Sequence, residues 1–198
     1  MGFRSGRHFL QLPGPTNVPD RILRAMDRAT IDHRGAEFGQ LGLRILEGLR
    51  EIFRTEGRVL IYPASGTGAW EAAMVNTLSA GDLVVGFDSG VFAEKWTGVA
   101  RNLGLEVEVL PSDWRRAIDP AALEERLRSD SDGRIKAVMV VHNETSTGVT
   151  NDVSVFRGAL DSVGHAALLM VDAASPFRIG FMTRSLNTWG TNSYSTPW

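Results

Sequence analysis

From residue 59 onward the chain alternates short apolar runs with amphipathic segments, and this alternation constrains its fold more than any other feature. The apolar runs are residues 59–64, 83–87, 105–110, 135–141 and 166–173. The segments with helical character between them include residues 67–79, 91–103, 120–129 and 153–164. Strands that alternate with helices form parallel sheets covered by helices. The sequence therefore predicts an α/β fold with a mainly parallel sheet.

Local signals refine this prediction. Asp119 as the N-cap and Pro120 at the first helical position indicate that a helix begins at residue 120. The run LEVEVL (105–110) alternates apolar and charged residues, whereas a strand buried on both faces is apolar throughout, so we expect it at or near the edge of the sheet. Residues 36–55 carry apolar side chains at helical spacing and predict a long amphipathic helix.

Composition excludes several classes of protein. The 198 residues are 43% hydrophobic and carry a net charge of −2, which is typical of a globular protein without a polyanionic partner such as nucleic acid. The absence of cysteine excludes disulfides and thiolate metal sites. No run approaches the roughly 18 apolar residues of a membrane span, and the start lacks a secretory signal. We therefore expect a cytoplasmic protein that does not bind membranes.

The turn Ser65-Gly66-Thr67-Gly68 follows the first apolar run and precedes a helical pattern. At such a turn the N–H groups of the helix N-terminus point at an anion, and glycines let a phosphate approach the backbone. Phosphate binding is the functional interpretation of this motif. The alternative is an ordinary strand-to-helix turn with a serine or threonine N-cap.

Two named phosphate motifs do not match this turn. A P-loop requires Gly-Lys-Ser/Thr at its end, and here Ala69 follows Gly68. The dinucleotide fingerprint requires a glycine or alanine where Glu71 stands, which disfavours a Rossmann oxidoreductase.

A carboxylate and a polar turn follow two later apolar runs. Asp172 ends a buried-looking strand, where a side chain faces the ligand crevice of a parallel sheet. A phosphate cradle together with such an aspartate indicates pyridoxal phosphate, whose ring nitrogen is kept protonated by a carboxylate. A helix N-cap is the alternative role for Asp172. The turn VHNETSTGV (141–149) adds polar groups at the same rim, although such residues are also common turn formers.

Two clusters of polar residues have some character of metal sites. The pair His142-x-Glu144 is similar to that of zinc deaminases, but those enzymes also need cysteine ligands, which this chain lacks. Asp32, His33 and Glu37 are potential ligands, although a charged turn ahead of a helix is the commoner explanation of such a cluster. We therefore predict no metal site.

Six segments occur in order along residues 9 to 173: LPGPTNVPDRILRAM, IDHRGAEF, ASGTGAWEAAMVNTL, GDLVVGFDSGVFAEKW, VHNETSTGV and MVDA. In this order and spacing they resemble the class V aminotransferases, most closely the alanine–glyoxylate and serine–glyoxylate group. The resemblance implies an incomplete large domain of a fold-type I pyridoxal-phosphate enzyme. It divides the chain into an N-terminal arm (1–35), a partial cofactor-binding large domain (36–173) and a divergent or truncated tail (174–198).

The resemblance also implies roles for individual residues. Ser65, Gly66 and Thr67 fall where the family holds the phosphate of pyridoxal phosphate. Asp172 falls where a carboxylate pairs with the ring nitrogen, and Ala174 falls beneath the ring.

Three further positions carry implied roles. Phe92 falls where the family stacks an aromatic side chain on the pyridine ring, although an aromatic residue on a helix is usually plain core. Thr145 falls where a hydroxyl faces the cofactor. Gly14 lies in the arm that lines the substrate pocket in the family.

The chain departs from the family at the residue that carries the covalent chemistry. Family members form a Schiff base through a lysine that follows the aspartate by a few tens of residues, but no lysine follows Lys136 here. Lys136 begins a predicted strand, at the wrong end of the sheet, and Lys95 lies on a predicted surface helix. The chain is therefore expected to be inactive alone.

The family activity implied by the resemblance is transfer of an amino group from serine or alanine to glyoxylate, by a homodimer acting on an amino acid and a 2-oxo acid. Another class V chemistry, such as a lyase or desulfurase-like reaction, is the first alternative. A non-catalytic truncated remnant is the second.

Overall fold

A computed structural model describes residues 10, 12, 14 and 16–174 of the chain. The chain divides between Leu60 and Ile61 into two compact units, and each is described by itself. The predicted tail lies outside the described residues apart from Ala174, and so does part of the predicted arm.

The first unit contains helices α1 (Asp20–Met26) and α2 (Ala36–Phe53). The predicted long helix is confirmed, and it ends at Arg54, which adopts the left-handed conformation with a φ of 49°. No residue of α2 is buried among the described residues, and its apolar side chains Phe38 and Ile52 are 44% and 59% exposed.

The described part of the second unit, which ends at Ala174, is built from four helices and six strands. The helices are α3 (Gly66–Thr77), α4 (Val91–Asn102), α5 (Pro120–Arg128) and α6 (Val153–Ser162). The strands are β1 (Leu83–Phe87), β2 (Glu106–Leu110), β3 (Ile135–Val141), β4 (Asn143–Glu144), β5 (Val149–Thr150) and β6 (Leu168–Asp172). Strands β2, β1, β3 and β6 form one parallel sheet in that order, and β4 and β5 form a short antiparallel hairpin.

The sheet confirms the predicted α/β fold and places β2 at an edge, as the alternating run LEVEVL predicts. The prediction of a strand at residues 59–64 is wrong. Leu60 and Ile61 are 70% and 61% exposed, and the N–H of Ala64 donates to Tyr62 O in a turn. A strand needs a hydrogen-bonded neighbour, and no strand among the described residues pairs with this segment.

The core occupies both faces of the sheet, because successive side chains of a strand point to opposite faces. One face buries Val85, Val138 and Leu169 against α5 and α6. The other buries Val84, Met139 and Met170 against α3 and α4. Leu168 and Met170 of β6 belong to the second face, so Asp172, two residues further along the strand, also points toward α3 and α4.

Helix starts follow the predicted chemistry. Asp119 Oδ1 accepts a hydrogen bond from Ala121 N–H at 2.9 Å and caps α5, as the sequence predicts. Asp152 caps α6 in the same way through Ser154 N–H. None of the helices in the described part of the chain is both long enough and apolar enough to span a lipid bilayer.

Candidate functional site

The turn at the N-terminus of α3 is closely packed, and its first N–H groups have no hydrogen-bond acceptor among the described residues. The first intrahelical hydrogen bond runs from Gly68 N–H to Ser65 O at 3.0 Å, so the N–H groups of Gly66 and Thr67 precede it. Ser65 occupies the N-cap position, yet its side chain makes no capping hydrogen bond. A Cβ atom on Gly68 would lie 2.5 Å from Cβ of Ala64, so any larger residue at this position would clash with Ala64.

This open start distinguishes α3 from α5 and α6. In α5 and α6 the N-cap aspartate accepts a backbone N–H, which satisfies part of the helix start from within the chain. Ser65 and Thr67 at the start of α3 are exposed, and Ser65 does not cap. The helix dipole favours an anion at such a position, so the start of α3 is chemically suited to a phosphate.

Asp172 lies beside this turn at the carboxyl end of β6. A Cβ atom on Gly66 would lie 3.7 Å from Cβ of Ala174, which brings the start of α3 to the residues that follow the strand. Asp172 is 6% exposed, and its Oδ1 accepts Ala174 N–H at 2.9 Å. It pairs in register with Val141 of β3, so it stands at the edge where β3 also ends.

The surroundings of Asp172 disfavour its charged form. Burial raises the pKa of its carboxyl above the usual range, and the charge of Glu144 acts in the same direction. The Ala174 N–H and the Trp70 indole oppose this rise without cancelling it. Asp172 is therefore a buried carboxylate that a cationic partner would stabilise.

Two tryptophans pack next to this carboxylate. Trp70 of α3 and Trp96 of α4 stack with ring centroids 5.5 Å apart and planes 13° apart. Both indole N–H groups are buried, and neither makes a hydrogen bond of good geometry to a described residue. The Trp70 indole is nevertheless close enough to Asp172 to lower the pKa of its carboxyl. The polar groups at this edge are thus incompletely satisfied.

The polar turn predicted from VHNETSTGV joins the same edge. His142 N–H donates to Asp172 O at 2.8 Å, which continues the pairing of β3 and β6 by one residue. Asn151 is buried and links three segments, since its Nδ2 donates to Val141 O and its Oδ1 accepts Ile118 N–H, both at 2.8 Å. These bonds fix the hairpin of β4 and β5 on the end of the sheet.

Glu144 within this hairpin is fully buried, and its carboxylate accepts four hydrogen bonds. Two come from Phe92 N–H and Ala93 N–H at the start of α4, at 3.1 and 3.2 Å. Two come from Ser146, through its N–H at 3.1 Å and its hydroxyl at 2.6 Å. The start of α4 is therefore satisfied by a carboxylate from a distant part of the sequence.

Phe92 and Thr145 sit on either side of this connection. The Phe92 side chain is half-buried against the cluster that contains Trp70, and Lys95 Nζ lies 5.3 Å from the centroid of its ring. Thr145, also half-buried, directly follows Glu144 in the hairpin. Phe92 therefore packs partly into the core on this face, as the alternative interpretation of an aromatic residue on a helix predicts. Its side chain is not fully buried there.

Comparisons with known proteins identify the family of the chain. The sequence model of the family "Aminotransferase class-V" matches residues 8–183. The chain belongs to the class V aminotransferases.

Two curated relatives in this family are glyoxylate aminotransferases. A serine–glyoxylate aminotransferase from Methylorubrum extorquens is 46% identical over 187 residues, 94% of this chain and 46% of that protein. An L-aspartate–glyoxylate aminotransferase from Paracoccus denitrificans is 39% identical over 182 residues, 91% of this chain and 46% of that protein. The chain thus spans about half the length of the curated relatives it matches.

A solved structure of alanine–glyoxylate aminotransferase from Nostoc sp. matches with a TM-score of 0.76 and 26% identity, covering 86% of this chain and 44% of that one. The fold is that of an incomplete large domain of the fold-type I aminotransferases, with a mainly parallel sheet, as predicted.

The polar groups at this edge of the sheet fit pyridoxal phosphate, the cofactor of the family. The open N–H groups of Gly66 and Thr67 suit a phosphate, and the buried Asp172 suits a protonated ring nitrogen. The lysines do not fit a covalent role. Lys136 is the second residue of β3, at the opposite end of the strand from this edge, and its Nζ donates to Gly133 O. Lys95 is exposed on α4.

Gly14, the predicted substrate residue, belongs to the first unit, where it is exposed and a Cβ atom would meet nothing within 4 Å. Asp32 accepts Arg34 N–H at 2.9 Å in a turn ahead of α2. Within residues 10, 12, 14 and 16–174, no three histidine, aspartate or glutamate side chains are grouped as metal ligands.

The opposite end of the sheet holds a second polar site with different chemistry. A cavity of about 560 Å³ there is lined by residues that include Asp130 and His165. His165 Nδ1 accepts Ala167 N–H, so Nε2 carries the proton and donates to Asp130 Oδ2 at 3.1 Å. Asp130 also accepts Ile135 N–H at 2.8 Å. Both ring nitrogens are in use, so the pair ties loops together and has no free nitrogen for proton transfer.

Sequence reasoning missed two contributors to the site. The sequence pattern indicates Glu144 only as a potential metal ligand, although a carboxylate in a turn after a strand is also a potential cap for another helix. Trp70 has the spacing of an ordinary core residue, and nothing in the sequence indicates its approach to Asp172. Both roles depend on contacts between segments that are far apart along the chain.

Proposed function

We propose that this chain forms the pyridoxal-phosphate-binding part of an aminotransferase that transfers an amino group from serine or alanine to glyoxylate. The observation that carries the proposal is the meeting of the open α3 start with the buried carboxylate of Asp172 at one edge of the sheet. The glyoxylate aminotransferases among the relatives support the substrate class. We keep residues 36–173 as the cofactor-binding domain and a second copy of the chain as its partner, in the cytoplasm.

Each site residue would bind or orient the cofactor. Ser65, Gly66 and Thr67 would hold the phosphate through backbone N–H groups and hydroxyls. When bound, pyridoxal phosphate supplies an electron sink for reactions at the carbon that carries the amino group. Asp172 would hold a proton on the ring nitrogen through a charge-assisted hydrogen bond, and its burial strengthens that interaction.

The remaining residues would shape the space around the ring. Phe92 would pack against the ring, with Lys95 near the phenyl group. Thr145 would turn a hydroxyl toward the cofactor and Ala174 would line the floor. Gly14 would belong to the substrate pocket.

The 198 residues contain two lysines: Lys136 lies near the opposite end of β3, and Lys95 is exposed on α4 with its Nζ 5.3 Å from the centroid of the Phe92 ring. We therefore propose that the chain alone binds the cofactor noncovalently and does not transaminate. A missing general base and covalent anchor removes the proton transfer on which the reaction depends.

Two measurements test the proposal. Titration of the purified chain with pyridoxal phosphate, followed by absorbance and tryptophan fluorescence, is expected to show saturable binding, which the double variant Ser65→Ala/Thr67→Ala weakens. An Asp27→Asn variant, on an exposed residue of the first unit, serves as the control. Absence of saturable binding contradicts the cofactor role. Measurable transfer from serine to glyoxylate by the 198-residue chain contradicts the proposed lack of activity.

A further inference from the structure

Glu144 occupies a place that no role in cofactor binding yet explains. Its carboxylate is fully buried at the edge of the sheet that carries the proposed site, and it belongs to β4 rather than to the helix it contacts. A buried carboxylate is costly unless several donors satisfy it. Here the four donors come from the start of α4 and from Ser146.

Glu144 and Ser146 together satisfy the whole start of α4. Ser146 Oγ accepts Val91 N–H at 3.1 Å, and Glu144 Oε2 accepts Phe92 N–H and Ala93 N–H. These are the first three residues of the helix, whose N–H groups have no intrahelical acceptor. The next N–H, that of Glu94, already bonds to Gly90 O within the helix.

The fit around this carboxylate leaves no space for an alternative arrangement. Gly90, directly ahead of α4, has a φ of 149°, a conformation that favours glycine. A Cβ atom there would lie 2.6 Å from Cδ of Glu144 and 2.9 Å from Oγ of Ser146. The hairpin and the start of α4 are therefore held in one relative position.

We propose that Glu144 is a positioning residue of the cofactor site, which fixes Phe92 on α4 relative to Thr145 in the hairpin. This inference rests on the proposed function, because the two positioned side chains are those assigned to the ring of the cofactor. Glu144 itself does not touch the cofactor. It acts on the ring side of the site and leaves the phosphate turn on α3 unaffected.

The substitution Glu144→Gln tests this role. It keeps the shape of the side chain but removes the charge and turns an amide N–H₂ toward groups that are themselves donors. Glu94→Gln is the matched control, since Glu94 is exposed on the same helix. The probes are pyridoxal phosphate and inorganic phosphate, each titrated into the full 198-residue chain by calorimetry.

We expect Glu144→Gln to weaken the binding of pyridoxal phosphate by about tenfold or more, because hydrogen bonds to a charged group are lost. Binding of inorganic phosphate is expected to stay within about twofold, since α3 is not involved. Hydrogen exchange of the Phe92 and Ala93 amides in the cofactor-free chain should become at least about tenfold faster, as for the loss of one charged hydrogen bond. Glu94→Gln should change none of these values.

The outcomes separate the inference from the function on which it rests. If the wild-type chain binds no pyridoxal phosphate, the proposed function is overturned and the inference with it. Suppose that wild type binds pyridoxal phosphate. If Glu144→Gln then binds each probe as tightly as wild type does, or binds both probes more weakly by the same factor, only the inference is overturned.

Should Glu144→Gln fail to fold, Ser146→Ala provides the test. It removes one donor to Glu144 and the acceptor of Val91 N–H, so pyridoxal phosphate should bind about threefold more weakly, with phosphate unchanged. Unchanged binding of pyridoxal phosphate by Ser146→Ala would count against the positioning role.

Discussion

Asp172 and Asp130 lie at opposite ends of the same parallel sheet, and their side chains are both shielded from solvent. Asp130 accepts hydrogen bonds from Ile135 N–H and His165 Nε2, which outweigh burial and lower the pKa of its carboxyl. Burial dominates at Asp172 and raises the pKa of that carboxyl, although Ala174 N–H donates to it.

The difference is between an aspartate whose hydrogen-bond donors come from within the fold and one that the described residues satisfy only in part. Asp130 has donors supplied within its own fold, so the chain gains stability from its charge. Asp172 is a buried carboxyl whose charged form the described residues only partly stabilise, and it lies beside a helix start that has no side-chain cap. Binding sites commonly contain polar groups that are incompletely satisfied in the unliganded protein, because the ligand supplies the missing partner.

Replacing each aspartate by alanine gives the largest expected contrast. Asp130→Ala leaves the donors of Ile135 and His165 without their acceptor, and we expect the free energy of unfolding to fall by about 3 kcal/mol. Asp172→Ala removes a carboxylate that burial disfavours, so we expect a change of less than about 1 kcal/mol. Urea denaturation followed by circular dichroism measures both. Equal losses at the two positions would refute the comparison.

Cofactor binding should respond in the opposite pattern. Asp172→Asn removes the charge that would meet the ring nitrogen, so pyridoxal phosphate should bind about 10- to 100-fold more weakly, as expected for a charged hydrogen bond. Asp130→Asn lies at the other end of the sheet and should leave the affinity unchanged at temperatures where the variant is folded. A fluorescence titration of both variants decides this, and a larger loss for Asp130→Asn would contradict it.

The pH dependence of stability should also differ in sign. The folded pKa of Asp130 lies below the ordinary value of 3.8, so its contribution is present above that pH and is lost as the pH falls further. The folded pKa of Asp172 lies above 3.8, so its charged carboxylate destabilises the folded chain at pH values above that folded pKa. This destabilisation decreases as the pH falls below the folded pKa and is gone near pH 3.8.

Denaturation of wild type and Asp172→Asn between pH 3 and 7 measures this cost. Because the raised pKa makes the charged carboxylate unfavourable in the folded chain, we expect the variant to be more stable than wild type at pH 7. The difference should vanish near pH 3.8, the ordinary pKa of an aspartate. A variant that is less stable at pH 7 would contradict the raised pKa.

The helix starts give the smallest expected effects. Asp119→Ala removes the capping bond to Ala121 N–H and should cost about 1 kcal/mol. Ser65→Ala removes a side chain that makes no capping bond, so stability should change by less than about 0.5 kcal/mol. Thermal melts of the two variants make the comparison. A loss at Ser65 as large as that at Asp119 would show that Ser65 is an ordinary N-cap.

Periodicity and cap chemistry predicted much of this fold. The alternation of strands and helices, the edge position of β2 and the cap at Asp119 all follow from local patterns. The segment 59–64 has the pattern of a strand but not the structure, because pairing depends on a neighbour that local sequence does not reveal.

The sequence also predicted part of the candidate site, whose role stays a prediction. The turn at Ser65 follows an apolar run and Asp172 ends another. The rule that ligands bind at the carboxyl ends of parallel strands therefore predicts both as candidate site residues. Glu144 and Trp70 act through contacts across more than 50 residues of sequence, as the bond from Phe92 to Glu144 does. No local pattern encodes such contacts.

The shift of the melting temperature by pyridoxal phosphate tests the cofactor role of Asp172 most directly, because a ligand that binds only the folded chain stabilises it. Wild type, Asp172→Asn and Asp130→Asn would be melted with and without the cofactor at equal concentration. We predict a clear upward shift for wild type, a similar shift from a lower starting temperature for Asp130→Asn, and a much smaller one for Asp172→Asn. A shift for Asp172→Asn as large as that of wild type would contradict this role.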